Sequence, residues 1–409
     1  MLFERRLTAG LFAMGAAALV LNACGSSSGG GTAANTAQGA GGTSAAAGMS
    51  AAGGTTGAGA TSSTGGAAGT GAGTGGAAGG GPPPTMCDAM SCPGNPPVMT
   101  MGAPPGDGAD SNIQAINKLF LGDTDRMGVA SAKAWQNFGF PISGYIYKDA
   151  KAGAATHCKP ELGAKPADVI INGTNGTDNS FGKNIVPIVL GLASDAATKI
   201  QDAIAAGNFS VLVKVDKLGA GTDYNGLSAL LFASQGTLDP MGGMTIPPPA
   251  TDWSSYVWHP FDSQKMGVSF PMSYVAKNTW VSGSKGDVSL TLSFSGYDLA
   301  LVIHQGQIAM QYSADHKTST NGQIGGVLGT TQLTDAVKAI AGKVSPSLCM
   351  GSALDGVLAQ IRQASDIGID GKQDPSKVCD GISIGLGFET TVSKLGDAAP
   401  PTMPKNACP

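Results

Sequence analysis

From Gly25 to Thr85 the chain carries no charged and no aromatic side chain. The stretch is almost wholly Gly, Ala, Ser and Thr, and it ends in Pro82-Pro83-Pro84. Such a segment has too little apolar surface to offset the entropy of ordering its backbone. Its glycines also argue against reading the alanines as helix. It reads as a tether, and a Gly-rich coil of this length spans roughly 40–45 Å on average, at about 5–6 Å × √n. Much of the 63 Gly, and of the low 13% charged content, belongs to it. Neither figure therefore describes the part that folds.

The residues before the tether have the three parts of an export signal. Arg5 and Arg6 supply positive charge, and Leu7 to Leu21 is an uncharged run, long enough for export and short for a membrane span. Leu21-Asn22-Ala23-Cys24 then has the form of a bacterial lipobox. The expectation is that residues 1–23 are a signal peptide and that Cys24 carries lipid, followed by the tether to residue 85. Each buried CH₂ adds about 0.8 kcal/mol, so several acyl chains hold far more firmly than one. Asn22 is uncommon at its position, and an ordinary signal cut at a nearby small residue is the plainer alternative. Gly25, rather than Asp, favours the outer membrane, on its periplasmic or cell-surface face. The expected partner is thus the membrane, through the lipid.

Six cysteines remain after Cys24: Cys87, Cys92, Cys158, Cys349, Cys379 and Cys408. An even number in an exported domain points to disulfides, and sequence leaves fifteen pairings open. Cys349 and Cys379, in one late segment, are the pair expected first, with Cys87, Cys92, Cys158 and Cys408 tying the two ends of the domain to its body. Cys87-x₄-Cys92 is also within zinc-ligand spacing, but no second close pair follows it.

Residues 86–409 are enough for one large domain or two smaller ones. Removing residues 1–23 takes Arg5, Arg6 and Glu4 from the 24 basic and 28 acidic residues and leaves a net charge of −5. With no basic patch, nucleic acid is not an expected partner. No further apolar run is long enough to span a membrane.

The fold expected is mostly β with flanking helices (α+β): an antiparallel β-sandwich of jelly-roll or concanavalin-like type. Its parts are a helical stretch over 106–206, the sandwich over 207–330, and helices with a closing strand over 331–395. Ile113, Ile116, Leu119 and Phe120 predict a helix over 111–122, and 131–138 a second one with Trp135 in the core. The run DVII (168–171) reads as a buried strand. A helix is predicted from about 184 to 206, with Pro187 in its first turn and Gly207 ending it. From 209 the period changes to two. Strands are expected at 209–216, 227–233, 253–261, 266–275, 278–282, 287–294 and 297–312, the last broken by a hairpin turn at Gln305-Gly306. Helices follow at 330–342 and 352–366, and ISIGLGF (382–388) returns to the sheet.

Candidate sites are few. Asp123-x-Asp125 with Gly128 opens like a calcium loop, but Met127 and Ala134 stand where further acids belong. An acidic turn is the plainer reading. Asp366, Asp370 and Asp374 form a second acidic loop, also read as a solvated turn. Calcium is the one cofactor these loops admit; otherwise none is expected. The loop Asn172–Asn184 has one residue too many for a phosphate-binding loop. As a nucleophile elbow it has Asp178 where the first Gly is required. Asp178 and Asn179 remain as a turn that caps a helix, or as calcium or sugar ligands. Trp253 and Trp258, with His259 beside them, form an aromatic cluster that suits a sugar-stacking face, or else core. The four histidines, His157, His259, His304 and His316, assemble no catalytic or metal motif.

The stretches LFLGDTDRMG (119–128), TDNSFGKNIVPI (177–188), NGQIGGVLGT (321–330) and ASDIGIDGKQDPSKVCDGISIGLGF (364–388) resemble an uncharacterised family of lipoproteins common in myxobacteria. With the lipobox and tether the resemblance covers most of the mature chain. It implies outer-membrane location and a shared architecture, and it brings no activity. The function expected is a non-catalytic binding module for a glycan or another envelope component. A structural or adhesion protein without a small ligand is the first alternative, and a secreted hydrolase is the second. Exposed, coplanar Trp253, Trp258 and Trp280 would favour the glycan reading, and their burial would remove it.

Overall fold

Period-two sequence makes strands here, and the strands close on themselves. The structure is a computed structural model that describes residues 83–87, 92–238, 244–261, 266–294, 297–344, 348–349 and 352–399. All lie in one folded unit, Thr74–Pro409. Cys24, the signal, most of the tether and Cys408 are outside the described residues.

The strands are β1 (Thr85–Met86), β2 (Asn112–Phe120), β3 (Tyr145–Ile146), β4 (Ser210–Val215), β5 (Tyr224–Gln235), β6 (Val257–Pro260) and β7 (Val268–Ala276). They continue with β8 (Thr279–Val281), β9 (Gly286–Phe294), β10 (Tyr297–Tyr312), β11 (Thr318–Gly329), β12 (Gly381–Val392) and β13 (Lys394–Leu395). The α-helices are α1 (Ala150–Gly153), α2 (Pro166–Ile170), α3 (Val186–Leu192), α4 (Ala196–Ala205), α5 (Thr330–Val344) and α6 (Ser352–Gln363).

Strands β5, β4, β2, β12, β11, β10, β8 and β7 hydrogen-bond in that order, and β7 pairs back onto β5. Every pairing around this ring is antiparallel. The result is a closed eight-stranded barrel, with β6, β9 and β13 outside it. This replaces the expected jelly-roll or concanavalin-like sandwich. Alternation says only that each strand has one apolar face; the β5–β7 pairing decides that those faces line one closed interior. A barrel of about eight strands is just wide enough for side chains to fill it.

ISIGLGF shows how the wall is made. Ile382, Ile384, Leu386 and Phe388 are fully buried and share one face of β12 with Ile324 and Leu328 of β11. The opposite face carries Gly381, Ser383, Gly385 and Gly387, where residues 138–139 lie against the strand. A Cβ on Gly385 would overlap the Phe138 carbonyl oxygen, so this close approach requires glycine.

Three local expectations fail for physical reasons. Residues 112–120 are β2, not a helix, although Ile113, Ile116, Leu119 and Phe120 fit a helical face. The ladder with β12 skips from Ile116↔Thr390 to Lys118↔Glu389, leaving Asn117 as a bulge that breaks the period-two signal. The stretch 106–206 is therefore not wholly helical. DVII is the end of helix α2, opened by Pro166 at its first turn, and a four-residue apolar run looks alike in either state. Gln305-Gly306 is a bulge inside the continuous strand β10: Gln305 has φ 53°, and the β11 ladder shifts between His304 and Gln307.

Elsewhere the reading is close. Trp135 is buried in a 3₁₀ turn, Ala134–Asn137. The predicted 184–206 helix is three pieces, a π-helical turn at Phe181–Ile185 followed by α3 and α4, with Pro187 in the first turn of α3. Strand β11 was not foreseen.

The disulfides are Cys87–Cys92 and Cys158–Cys379. Cys379 thus pairs across 221 residues and not with its near neighbour Cys349, which is itself disulfide-bonded. The backbone brings the two segments together: Lys159 N–H donates to the Lys377 carbonyl at 2.8 Å, and Cys379 N–H to the Lys159 carbonyl at 2.9 Å.

Candidate functional site

The aromatic cluster is core. Trp253 is 8% exposed and Trp258 and Trp280 are fully buried, so none offers a face to a sugar. Trp258 packs against Trp253 and Tyr256 with ring centroids 5.4 and 5.3 Å apart. His259 Nδ1 is 2.8 Å from the Asp397 carbonyl oxygen. Trp253, Trp258 and His259 therefore do not form the expected sugar-stacking face.

The acidic loops are turns that cap themselves. Asp125 accepts hydrogen bonds from the N–H groups of Met127 (2.8 Å) and Val129 (2.9 Å). That loop plants Arg126, which donates to the Gly322 carbonyl at 3.0 Å and lies over Phe138 and Phe120 at 5.1 and 5.8 Å. Neither Asp123 nor Asp125 belongs to a group of three metal donors; the one such group among the described residues is His157, Cys158 and Cys379. The two cysteines are joined as a disulfide and supply no thiolate. Asp370 and Asp374 each accept from a backbone N–H two residues on.

Asp178 and Asn179 are buried, and both are consumed by the fold. The two N–H groups of Asn179 Nδ2 are shared among the carbonyls of Trp135 (3.1 Å), Phe138 (3.1 Å) and Gly385 (3.0 Å), while its Oδ1 accepts from Gly182 and Gly385 N–H, both at 2.9 Å. Asp178 accepts from Ser143 N–H at 2.7 Å and from the Asn172 amide. Asp366 accepts from Ser383 N–H (2.8 Å) and from the Ser383 hydroxyl (2.6 Å). Burial pushes the Asp178 carboxyl up to about 7. Burial, with Asp178 nearby, pushes Asp366 up to about 8.

Two raised carboxyls, with Ser180 and Lys183 beside them, are what a hydrolase would need. Their common cavity is about 10 Å³, however, at the threshold for a single water. Lys183 Nζ is spent on the carbonyls of Ala167 (2.9 Å) and Ile171 (3.2 Å). Ser180 Oγ donates to the Ala364 carbonyl at 2.5 Å. The cluster holds loops together and has no room for a substrate.

His157 meets the cluster only at the Asp366 backbone. His304 bridges Asp287 (3.0 Å) and Gln332 (3.1 Å), with no nucleophile in hydrogen-bond reach. His157 Nδ1 is 2.6 Å from the Cys158 carbonyl, and burial lowers its pKa.

A different feature has the form of a binding site. Helices α3, α4, α5 and α6 pack together beside the barrel, α4 on β2 and β9, α5 on β10 and β11. Between them lies a cavity of about 130 Å³ lined only by Leu, Ile, Val, Phe and Ala side chains. Leu121 and Phe181 form part of its wall and Leu333, Val337 and Ile361 another. On α3, whose sequence VPIVLGL has no polar side chain, Val189 and Leu192 also line the cavity while 39% and 40% exposed. A surface helix normally turns a polar face to water. The sequence signal was present in Ile185–Ala193, nine residues without a polar side chain. It read as an ordinary helix because nothing local says which side of α3 the protein covers.

An eight-stranded closed barrel with an apolar chamber under a bare helix is the class of structure defined here. No protein family, no curated protein and no solved structure matches the chain.

Proposed function

We propose that this is an exported, lipid-tethered protein of the outer membrane whose folded domain binds the apolar end of an envelope lipid and does no chemistry on it. The apolar cavity beneath α3 carries the reading. An empty cavity of about 130 Å³ costs on the order of 3 kcal/mol, at about 24 cal/mol per Å³. An alkyl chain recovers that energy, because apolar cavities of roughly this size stay dry and take up hydrocarbon. Val189 and Leu192 extend the apolar surface to the outside, where the rest of the chain and its headgroup would lie. The lipobox, the tether and the resemblance to myxobacterial lipoproteins support the location. A Gly-rich coil of the tether's length spans roughly 40 Å on average, which keeps a domain on it within reach of a bilayer's lipids.

The test is a fluorescence titration of the full chain with cis-parinaric acid, a polyene fatty acid that brightens in apolar sites. Saturable one-to-one binding, displaced by a saturated fatty acid, is the expected result. No enhancement, or non-saturable uptake, would overturn it. Cys24→Ser should move the protein from the membrane fraction to the soluble one.

A further inference from the structure

We propose that a second, polar pocket, bounded by Gln136, Asn137, Asn175 and Gln323, binds a neutral saccharide. It has a volume of about 260 Å³ and is formed where four chain segments meet: 93–95, the 134–139 turn, the 174–177 turn and β11. Its lining is Asn, Gln, Thr, Gly and Pro, with no charged side chain. At roughly 30 Å³ of liquid volume per water, it holds about nine waters, the space of a small sugar.

The amides are only half used by the protein. Gly139 N–H donates to Gln323 Oε1 at 2.9 Å, and a backbone N–H can only donate, so the Gln323 oxygen is fixed there and its NH₂ is left over. Thr174 Oγ1 donates to Asn137 Oδ1 at 3.1 Å, which leaves that NH₂ too. The side chains of Gln136 and Asn175 make no hydrogen bond among the described residues. The pocket therefore offers two oriented donor groups and two amides that both donate and accept.

The frame around them is stiff. The Cys87–Cys92 disulfide and the Asn95 N–H bond to the Cys92 carbonyl (3.0 Å) hold the first segment. Asn179 bolts the 134–139 turn to β12 from below. Asn175 sits at φ 58°, a strained value for a residue other than glycine. Preorganised donors lose little entropy on binding.

The chemistry selects the ligand class. Without charge the lining has no preference for an ion, and without basic residues none for nucleic acid. A peptide that binds by strand addition needs a free sheet edge. Gln323 belongs to β11, which is paired on both sides, with β10 and β12, so that edge does not exist here. A compact neutral molecule rich in hydroxyl groups matches dense amide donors and acceptors. This site is separate in residues from the apolar cavity and stands or falls independently of it.

The experiment is saturation-transfer NMR on the full chain with maltose and N,N′-diacetylchitobiose, with the tripeptide Gly-Gly-Gly as the competing class. The variant is Gln136→Ala with Asn175→Gly, which removes two amides that hold nothing else, and glycine accepts the φ at 175. Saccharide binding weakened about tenfold in the variant, with an unchanged melting temperature, is expected, because each lost hydrogen bond contributes modestly. No saccharide signal, binding indifferent to the variant, or a preference for the tripeptide would overturn the proposal.

Discussion

The side chain of Asn179 and the backbone of Gly385 exchange two hydrogen bonds: Asn179 Nδ2 donates to the Gly385 carbonyl at 3.0 Å, and Gly385 N–H donates to Asn179 Oδ1 at 2.9 Å. A carboxamide has the same donor and acceptor as a peptide group, so Asn179 stands where a neighbouring strand would. Gly385 allows it, having no Cβ to hold off the chain segment at Phe138 and Gly139. Asn179 also accepts from Gly182 and donates to the carbonyls of Trp135 and Phe138.

Asn179→Ala should therefore destabilise the domain by on the order of 3 kcal/mol or more, since it leaves several buried backbone groups unpaired. Asn179→Asp should be as damaging, because a carboxylate cannot donate to three carbonyls. Chemical denaturation measures both. A loss under about 1 kcal/mol in either would show that the loops are held by something else.

Ala341 is buried and lines the apolar cavity under α3. Ala341→Leu fills part of the space, so stability should be held or raised while parinaric acid binding falls several-fold. Unchanged dye affinity would place the bound dye somewhere other than this cavity.

Asp178 and Asp366 keep protons in the folded state up to about 7 and about 8, whereas an unfolded Asp loses its proton near 3.9. Between those values the folded state binds more protons than the unfolded one, so stability falls as pH rises. The contribution of these two groups is fully present below about pH 4 and is lost by about pH 8. The slope is about 1.4 kcal/mol per pH unit for each proton. Asp366→Asn, which cannot ionise and keeps one oxygen to accept from Ser383 N–H, should flatten this profile. Melting curves from pH 4 to pH 9 are the measurement, and equal slopes in both proteins would contradict the assignment.

The two described disulfides should differ in weight. Cys158–Cys379 spans 221 residues and Cys87–Cys92 spans 5, which in the chain-entropy account are about 5 and about 2 kcal/mol. The Cys158→Ala/Cys379→Ala double variant should lose roughly 3 kcal/mol more than Cys87→Ala/Cys92→Ala. Equal losses would mean the long-range link constrains little that the barrel does not already hold.

Much of the strand content was legible because inward and outward residues alternate: β4, β5, β7, β9 and β10 lie where period two put them. The misses share one cause. Asn117 and Gln305 are bulges, and one extra residue resets the alternation, so β2 imitates a helix and β10 imitates a hairpin. Of the candidate site residues, Asp178 and Asn179 lie in the loop singled out, but as bolts and not as ligands. Trp253 and Trp258 form one cluster in the sequence, and only packing shows that it faces inward.

Taken alone, the sequence determined what is local. It set which segments have one apolar face and where small and large residues alternate in ISIGLGF. Those follow from backbone entropy and side-chain period, which act over a few residues. Tertiary structure alone decided the closure of β7 on β5, the pairing of Cys158 with Cys379, and the chamber beneath α3. Each depends on contacts between segments far apart in the chain, and no periodicity encodes which distant partner completes them.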